Sequence, residues 1–203
     1  MSKAATTRLT ILHKAFELIY RNGYQVTSID DIIATTEVTK GAFFYHFRNK
    51  EEMGLAVINE VMYPAMYEFL IRPHEGSKNP AEQIYAMMRH ILLKAPFFKA
   101  RYGCPAVNLI EEMSPLNDKF NKALARLMHQ WQEAIGSSIN QGRASGTIRK
   151  DVNAQQVACF IIAGYSGIRN MGKMAGASCY TIYLKELKSY LKQLAHRPYI
   201  RTF

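Results

Sequence analysis

The 203-residue chain is long enough to bury a sizeable core in one or two domains, and 48% hydrophobic residues set it among folded chains rather than disordered ones. Lys and Arg number 26 against 16 Asp and Glu, a formal charge of +10 that favours an acidic partner: nucleic acid, an anionic membrane surface or an acidic ligand. The excess is dilute, with 7 cations and 4 anions in residues 1–50 and 19 and 12 in the remainder, so a nucleic-acid footprint must come from the placement of a few charges.

The N-terminus "MSKAATTRLT" has no apolar signal core, and no stretch approaches the roughly 18 apolar residues of a membrane span. A cytoplasmic protein without membrane contact is expected. Cys104, Cys159 and Cys179 form no CxxC pair and read as free thiols of a reducing compartment. The six histidines never stand at HxxxH spacing. Neither a metal nor any other cofactor is expected.

Helical periodicity dominates the chain. Leu9, Leu12, Phe16 and Ile19 mark a first helix to about Asn22, stopped by Gly23 in a left-handed cap. "TSIDDIIATTEV" begins a second, with Thr27 as its cap, Asp30 three residues on, and Asp30 and Asp31 against the positive end of the dipole. Thr39 caps a short third helix through about Phe47. A longer helix follows from about Lys50 to Leu70, with Pro64 inside it removing a backbone bond and kinking the axis. After the turn-rich "RPHEGSKNP", Pro80 starts a helix carrying Ile84, Met87, Met88, Ile91 and Leu92. Cys104 caps a short helix with Pro105 at its first position. A long amphipathic helix is expected from about Pro115 to Gln141, another from the cap Asn153 to about Lys173, and a last from about Ser178 to Ala195. The expected fold is all-α, about nine helices, divided into residues 1–50 and 51–203.

Two short helices joined by a tight turn behind a supporting helix make a helix-turn-helix pattern, whose second helix lies in the DNA major groove. The segment "TKGAFFYHFRNK" suits that task. Thr39 offers a hydroxyl at a helix N-terminus, as do Thr27 and Ser28 one helix earlier. Lys40 reaches a guanine edge or a phosphate, Gly41 permits close approach, and Ala42 meets a thymine methyl. Tyr45, His46 and Lys50 bond phosphates, while Phe43 and Phe47, four apart, point into the core.

The stretch "GYQVTSIDDIIATTEVTKGAFFYHFRNKEEM" resembles the N-terminal domain of the tetracycline-repressor (TetR) family of bacterial transcription factors, over roughly residues 8–58. The resemblance implies a helical regulatory domain after the DNA-binding one, with the last two helices forming a homodimer interface. It implies a ligand-responsive regulator of double-stranded operator DNA, a repressor released by a small-molecule effector, and not an enzyme. Three positions depart from the family's usual form. Glu37 replaces the turn glycine, at a cost of about 1–2 kcal/mol if that backbone is left-handed. Phe44 stands where many members have a phosphate-binding tyrosine, so that contact is lost or becomes apolar, and Ile33 replaces a small residue.

By the same resemblance, effector-pocket candidates are Tyr67, Met88, Phe98, Cys104, Met113, Phe120, Met128 and Trp131, apolar residues on the central helices that could equally be core. Cys104, at a helix start behind Lys99 and Arg101, resembles a Gly-Cys sub-branch of the family with members that respond to electrophiles; a thiol sensor and a buried cap residue are its two readings. Dimer candidates are Phe160, Gly164, Gly167, Ile168, Leu184, Leu187 and Leu191, because helix glycines need close packing to offset their cost and the leucines form a matching stripe. A buried intramolecular pair is the alternative. Two rival functions remain: an enzyme using Cys104 as nucleophile with His90 or His129 as base, and a helical module binding an acidic protein.

Overall fold

The computed structural model describes residues 3–76 and 79–195. Among them the regular elements are helical: α1 (Lys3–Asn22), α2 (Ile29–Ala34), α3 (Lys40–His46), α4 (residues 50–71), α5 (Pro80–Leu93), α6 (Pro105–Met113), α7 (Asp118–Ser145), α8 (Ala154–Ala175) and α9 (Ser178–Leu194). A lone antiparallel bridge joins Ile148 and Ala195. Contacts group the chain into two units: residues up to 66 with 104–127, and 67–103 with residues from 128 onward. Positions 77 and 78 of the turn-rich break lie outside the described residues.

In the first unit α1 buries Ile11, Leu12, Ala15 and Ile19. Gly23 ends it at φ +98°, its N–H bonded to the Ile19 carbonyl at 2.8 Å, a conformation that suits glycine alone. The cap of α2 is Ser28, not Thr27. The Ser28 hydroxyl accepts from the Asp31 N–H at 3.0 Å, and the Asp31 carboxylate accepts from the Ser28 N–H at 2.8 Å, a reciprocal capping box. The Ser28 hydroxyl also donates to the Asp31 carboxylate at 2.6 Å, and this bond, with that from the Ser28 N–H, holds the Asp31 carboxyl below its ordinary range. Thr27 is buried instead, its hydroxyl donating to the Gly23 carbonyl at 2.7 Å.

The turn from α2 to α3 needs no left-handed residue, since no non-glycine residue described has positive φ. Glu37 therefore carries none of the strain that a glycine-type turn would impose. Two threonines close the turn: Thr35 and Thr36 donate both N–H and hydroxyl to the carbonyls of Ile32 and Ile33, and the Thr36 hydroxyl accepts from Val38 N–H at 3.2 Å. Thr39 caps α3 by accepting from Ala42 N–H at 3.2 Å. Seven residues do not make a stable isolated helix. Phe43 and Phe47, both buried with ring centroids 5.7 Å apart, anchor this one.

α4 does not break at Pro64. Its bonding widens from i→i+4 to i→i+5 over Val57–Met62 and again over Tyr67–Ile71, with Tyr63 N–H bonding the Ile58 carbonyl. Widened turns accommodate a residue that has no N–H and crowds the preceding turn. α7 begins at Asp118, three residues later than expected, because Leu116 and Asn117 N–H groups fold back onto the Met113 carbonyl. The Asn117 side chain then accepts from Lys119 and Phe120 N–H at 2.9 and 3.1 Å.

In the second unit Asn79 caps α5 with Pro80 in its first turn, and Asn153 caps α8 by accepting from Gln156 N–H at 3.0 Å. α9 packs on α5 and α8. Leu184, Leu187, Leu191 and Leu194 are all buried in that packing, so the stripe expected at a dimer interface is internal. Gly164 and Gly172 serve the same pair: a Cβ on Gly164 would stand 2.6 Å from the Tyr183 hydroxyl, and one on Gly172 would stand 2.6 Å from Tyr180 Cζ. Close α8–α9 approach within one chain explains them. Ile168 is likewise buried in the chain.

Candidate nucleic-acid interface

The α2–turn–α3 segment sorts its residues by face. Thr39, Lys40, Gly41, Phe44 and Tyr45 are exposed, Ala42 and His46 are half-buried, and Phe43 is closed off beneath them. Tyr45 is 78% exposed and Phe44 46%, so an aromatic edge stands on the same surface as Lys40. Phe44 leans edge-on against Phe43, with centroids 5.4 Å apart. Ser28 is exposed at the start of α2, whereas buried Thr27 is withdrawn from this surface.

Gly41 is the informative residue of the face. Its φ is not positive, and a Cβ built on it meets nothing within 4 Å. Neither backbone strain nor internal packing calls for glycine there, although glycine in a helix costs about 1 kcal/mol relative to alanine.

Two cations are already engaged. Lys40 Nζ pairs with Asp30 at 2.9 Å, both side chains being well exposed, so the pair contributes little and is readily exchanged. Lys50 is half-buried: its ammonium donates to the Gln25 carbonyl at 3.0 Å and lies 4.5 Å from the centre of the Tyr24 ring. Burial lowers its pKa, opposed by the charges of Glu112 and Asp31. Lys50 thus clamps the turn after α1 with one of its three N–H donors.

That turn is also held from behind. The Glu112 carboxylate on α6 accepts from the backbone N–H groups of Tyr24 at 2.9 Å and Gln25 at 2.6 Å. Phe120 packs on Tyr24 with centroids 4.8 Å apart, and a Cβ on Gly54 would stand 2.7 Å from both rings. Burial, with Glu51 and Glu112 nearby, pushes the Tyr24 phenol up to about 12. Phe120, expected in an effector pocket, is instead part of the support under the helix-turn-helix. Glu112 was not singled out from the sequence, because a bond across 88 residues leaves no local pattern.

The matches to known proteins cover both parts of the chain. Residues 11–57 match the family described as bacterial regulatory proteins, tetR family, and residues 80–181 match the tetracyclin repressor-like C-terminal domain. The transcriptional regulator QacR of Staphylococcus aureus is 41% identical over 152 residues, 71% of this chain and 75% of that one. The chain belongs to the TetR family. The repressor DhaR of a Mycobacterium species is 28% identical over 160 residues, 79% of each chain. A solved TetR regulator from Chloroflexus aurantiacus superposes with TM-score 0.86 at 27% identity, over 98% of this chain and 100% of its own. As a TetR-family protein the chain is a ligand-responsive, DNA-binding transcriptional regulator, and the family is one of regulators rather than enzymes. No helix among the described residues is long and apolar enough to cross a membrane.

The TetR-type regulatory candidates divide between the two units. In the second, Met88, Phe98 and Trp131 are buried, Tyr67 and Met128 half-buried, and the Tyr67 hydroxyl bonds Glu75 at 2.8 Å. Phe98 and Trp131 both meet Tyr165 edge-on, at centroid distances of 6.5 and 5.1 Å. In the first unit Met113 and Cys104 are buried. Cys104 occupies the cap position of α6 but its thiol makes no capping bond, and at 1% exposure it offers an electrophile no open path. His90 stacks on Phe69 and His129 pairs with Glu133, both exposed, and no described side chain bonds the Cys104 thiol as a catalytic base would.

Sequence reasoning passed over Arg169. It is fully buried on α8, on the stripe of Ile161, Tyr165 and Gly172. Its position four residues after Tyr165 was the available signal, since helical spacing puts it on the inner face. The dimer candidates that remain on the surface are Phe160 and Gly167.

Proposed function

We propose that the chain acts in the cytoplasm as a homodimeric repressor of a near-palindromic operator, each subunit laying α3 in the major groove, and that a small-molecule effector releases it. The observation that carries the reading is the exposed Thr39–Tyr45 face centred on Gly41, a helix glycine that no contact within the chain requires. Thr39, Lys40, Gly41 and Ala42 form the base-reading edge, with Phe44 as an apolar contact to a thymine methyl or sugar. Tyr45, His46 and Ser28 take phosphates.

A dimer is favoured by a stripe on the outer face of α8. Phe160, Ala163, Gly167, Met171 and Met174 recur along it, all exposed, with Met174 at 86% and Ile182 of α9 at 74%. Apolar and small residues in such a run suit a two-fold helix contact. The Glu112 hold on Tyr24 and Gln25 offers a route by which movement of α6 tilts the helix-turn-helix. The effector must bind better to the non-operator state, since tight binding to both states shifts nothing.

The test is a gel shift on DNA selected by the protein from a random pool, run across a salt series. Specific, salt-sensitive binding as a dimer is expected, and Lys40→Ala should weaken it by about 1–3 kcal/mol. Binding that ignores sequence, or a wild-type protein that sediments as a monomer on DNA, would sink the reading.

A further inference from the structure

We propose that Arg169 is the anion-recognising residue of an internal effector site, and that the effector is a small organic acid bearing one carboxylate on an apolar body. The proposal rests on the reading of the chain as a ligand-responsive regulator and adds the chemical class of its ligand.

Arg169 is 0% exposed. Its Nη2 donates to the main-chain carbonyls of Lys99, at 3.2 Å, and Gly103. No protein group accepts from Nε or Nη1. A guanidinium has five N–H donors, so three remain without acceptors. Among the described residues no carboxylate pairs with it; its other neighbours are the rings of Phe98 and Tyr180, 5.3 and 5.5 Å from Cζ. The adjoining aromatic layer adds one more donor, the buried Trp131 Nε1, which also lacks an acceptor, on a ring perpendicular to Tyr165.

A buried charge without a counter-charge is costly, and arginine does not escape the cost by shedding its proton as buried lysine does. Two carbonyls satisfy part of the fork but bring no negative charge. A donor surplus walled by Phe98, Trp131, Tyr165 and Tyr180 is complementary to an acceptor-rich monoanion with an apolar body. One cation balances one negative charge, so a phosphate dianion would leave uncompensated charge inside.

The placement also suggests how occupancy is reported. Gly103 has φ +75° and is followed along the chain by α6, whose Glu112 holds the turn after α1. A carboxylate bonded to Nε and Nη1 would turn the guanidinium about its stem and so change the hold of Nη2 on the carbonyl of Gly103, the residue before the cap of α6.

The experiment uses the full chain and thermal-shift titrations with acetate, butyrate and benzoate against the matched neutral amides, at constant ionic strength. At least one carboxylate should raise the wild-type midpoint saturably while its amide does not. Arg169→Met should abolish that shift, and Arg169→Lys, which keeps the charge but not the fork, should weaken the affinity about tenfold. Without ligand, Arg169→Met should melt no lower than wild type, since it removes an unbalanced charge; a purely structural arginine predicts a clear drop. No carboxylate-specific shift in wild type, or the same shift in Arg169→Met, overturns the proposal. If Arg169→Met does not fold, loss of the carboxylate preference in Arg169→Gln serves as the decisive measurement. DNA binding is read separately by gel shift: its failure would sink the regulator reading and leave the carboxylate titrations standing.

Discussion

The helix-turn-helix with its support and the interior of the second unit handle polar groups in opposite ways. In the first, the polar side chains of the helix-turn-helix are at the surface and have partners: Ser28 with Asp31, Lys40 with Asp30, Glu112 with two backbone N–H groups. In the second, Arg169, Trp131 and His74 are buried with donors or acceptors left over. The lesson is one of accessibility. A surface built for a large external partner can be satisfied by water and exchangeable ion pairs until the partner arrives. An interior site must hold its unsatisfied groups dry, at a standing cost in stability, and that cost marks it as the place where a small ligand has most to offer.

The largest expected effect tests the first unit. Phe43→Ala removes the buried anchor of α3 and should cost about 3–5 kcal/mol, seen as a lower denaturation midpoint together with loss of DNA binding. Retained stability would mean that α3 stands without its core contact.

Next comes acid sensitivity in the second unit. Burial pushes His74 down to about 4 from an ordinary value of 6.5. The unfolded chain therefore takes up a proton near pH 6.5 while the folded one resists until about pH 4. Stability from keeping His74 neutral is present above pH 6.5 and is lost as the pH falls through that window, by roughly 3 kcal/mol at full extent. His74→Leu should flatten the fall in melting temperature between pH 7 and pH 4.5; an unchanged slope would clear His74 of the effect.

A smaller change separates the support from the reading face. Glu112→Gln keeps one acceptor oxygen and sets an NH2 donor against the other of the Tyr24 and Gln25 N–H groups, and should cost about 1–3 kcal/mol while weakening operator binding more than Lys50→Ala does in the same gel shift. The smallest effect on stability is the most diagnostic. Gly41→Ala should stabilise the fold by up to about 1 kcal/mol, since the new methyl meets nothing inside the chain, yet reduce DNA affinity by crowding the groove. If both stability and binding rise, the close-approach argument fails.

The helices were legible because amphipathic spacing and caps are local: Thr39, Asn153, Pro80 and Gly23 announce boundaries within a few residues of where they fall. Thr27 and Ser28 show the limit of that reading. Both have a capping hydroxyl, and only the backbone direction after Gly23 decides that Thr27 turns inward and Ser28 outward. Pro64 shows it again, since the sequence puts the disturbance at the proline while the structure spreads it over widened turns on both sides.

By itself the sequence determined the all-helical class, the helix-turn-helix, and the face on which Lys40, Gly41 and Tyr45 lie, because each depends on residues within one or two turns of one another. Only the tertiary structure decided that the Leu184–Leu191 stripe is spent on α5, that Gly164 and Gly172 admit Tyr183 and Tyr180, and that Phe120 supports Tyr24. It alone revealed that Glu112 grips a turn 88 residues away and that Arg169 lies dry among aromatic rings. A periodic pattern states that a helix face is apolar. Which neighbour covers that face, and whether a charge on it finds a counter-charge, depends on long-range packing that no local pattern encodes.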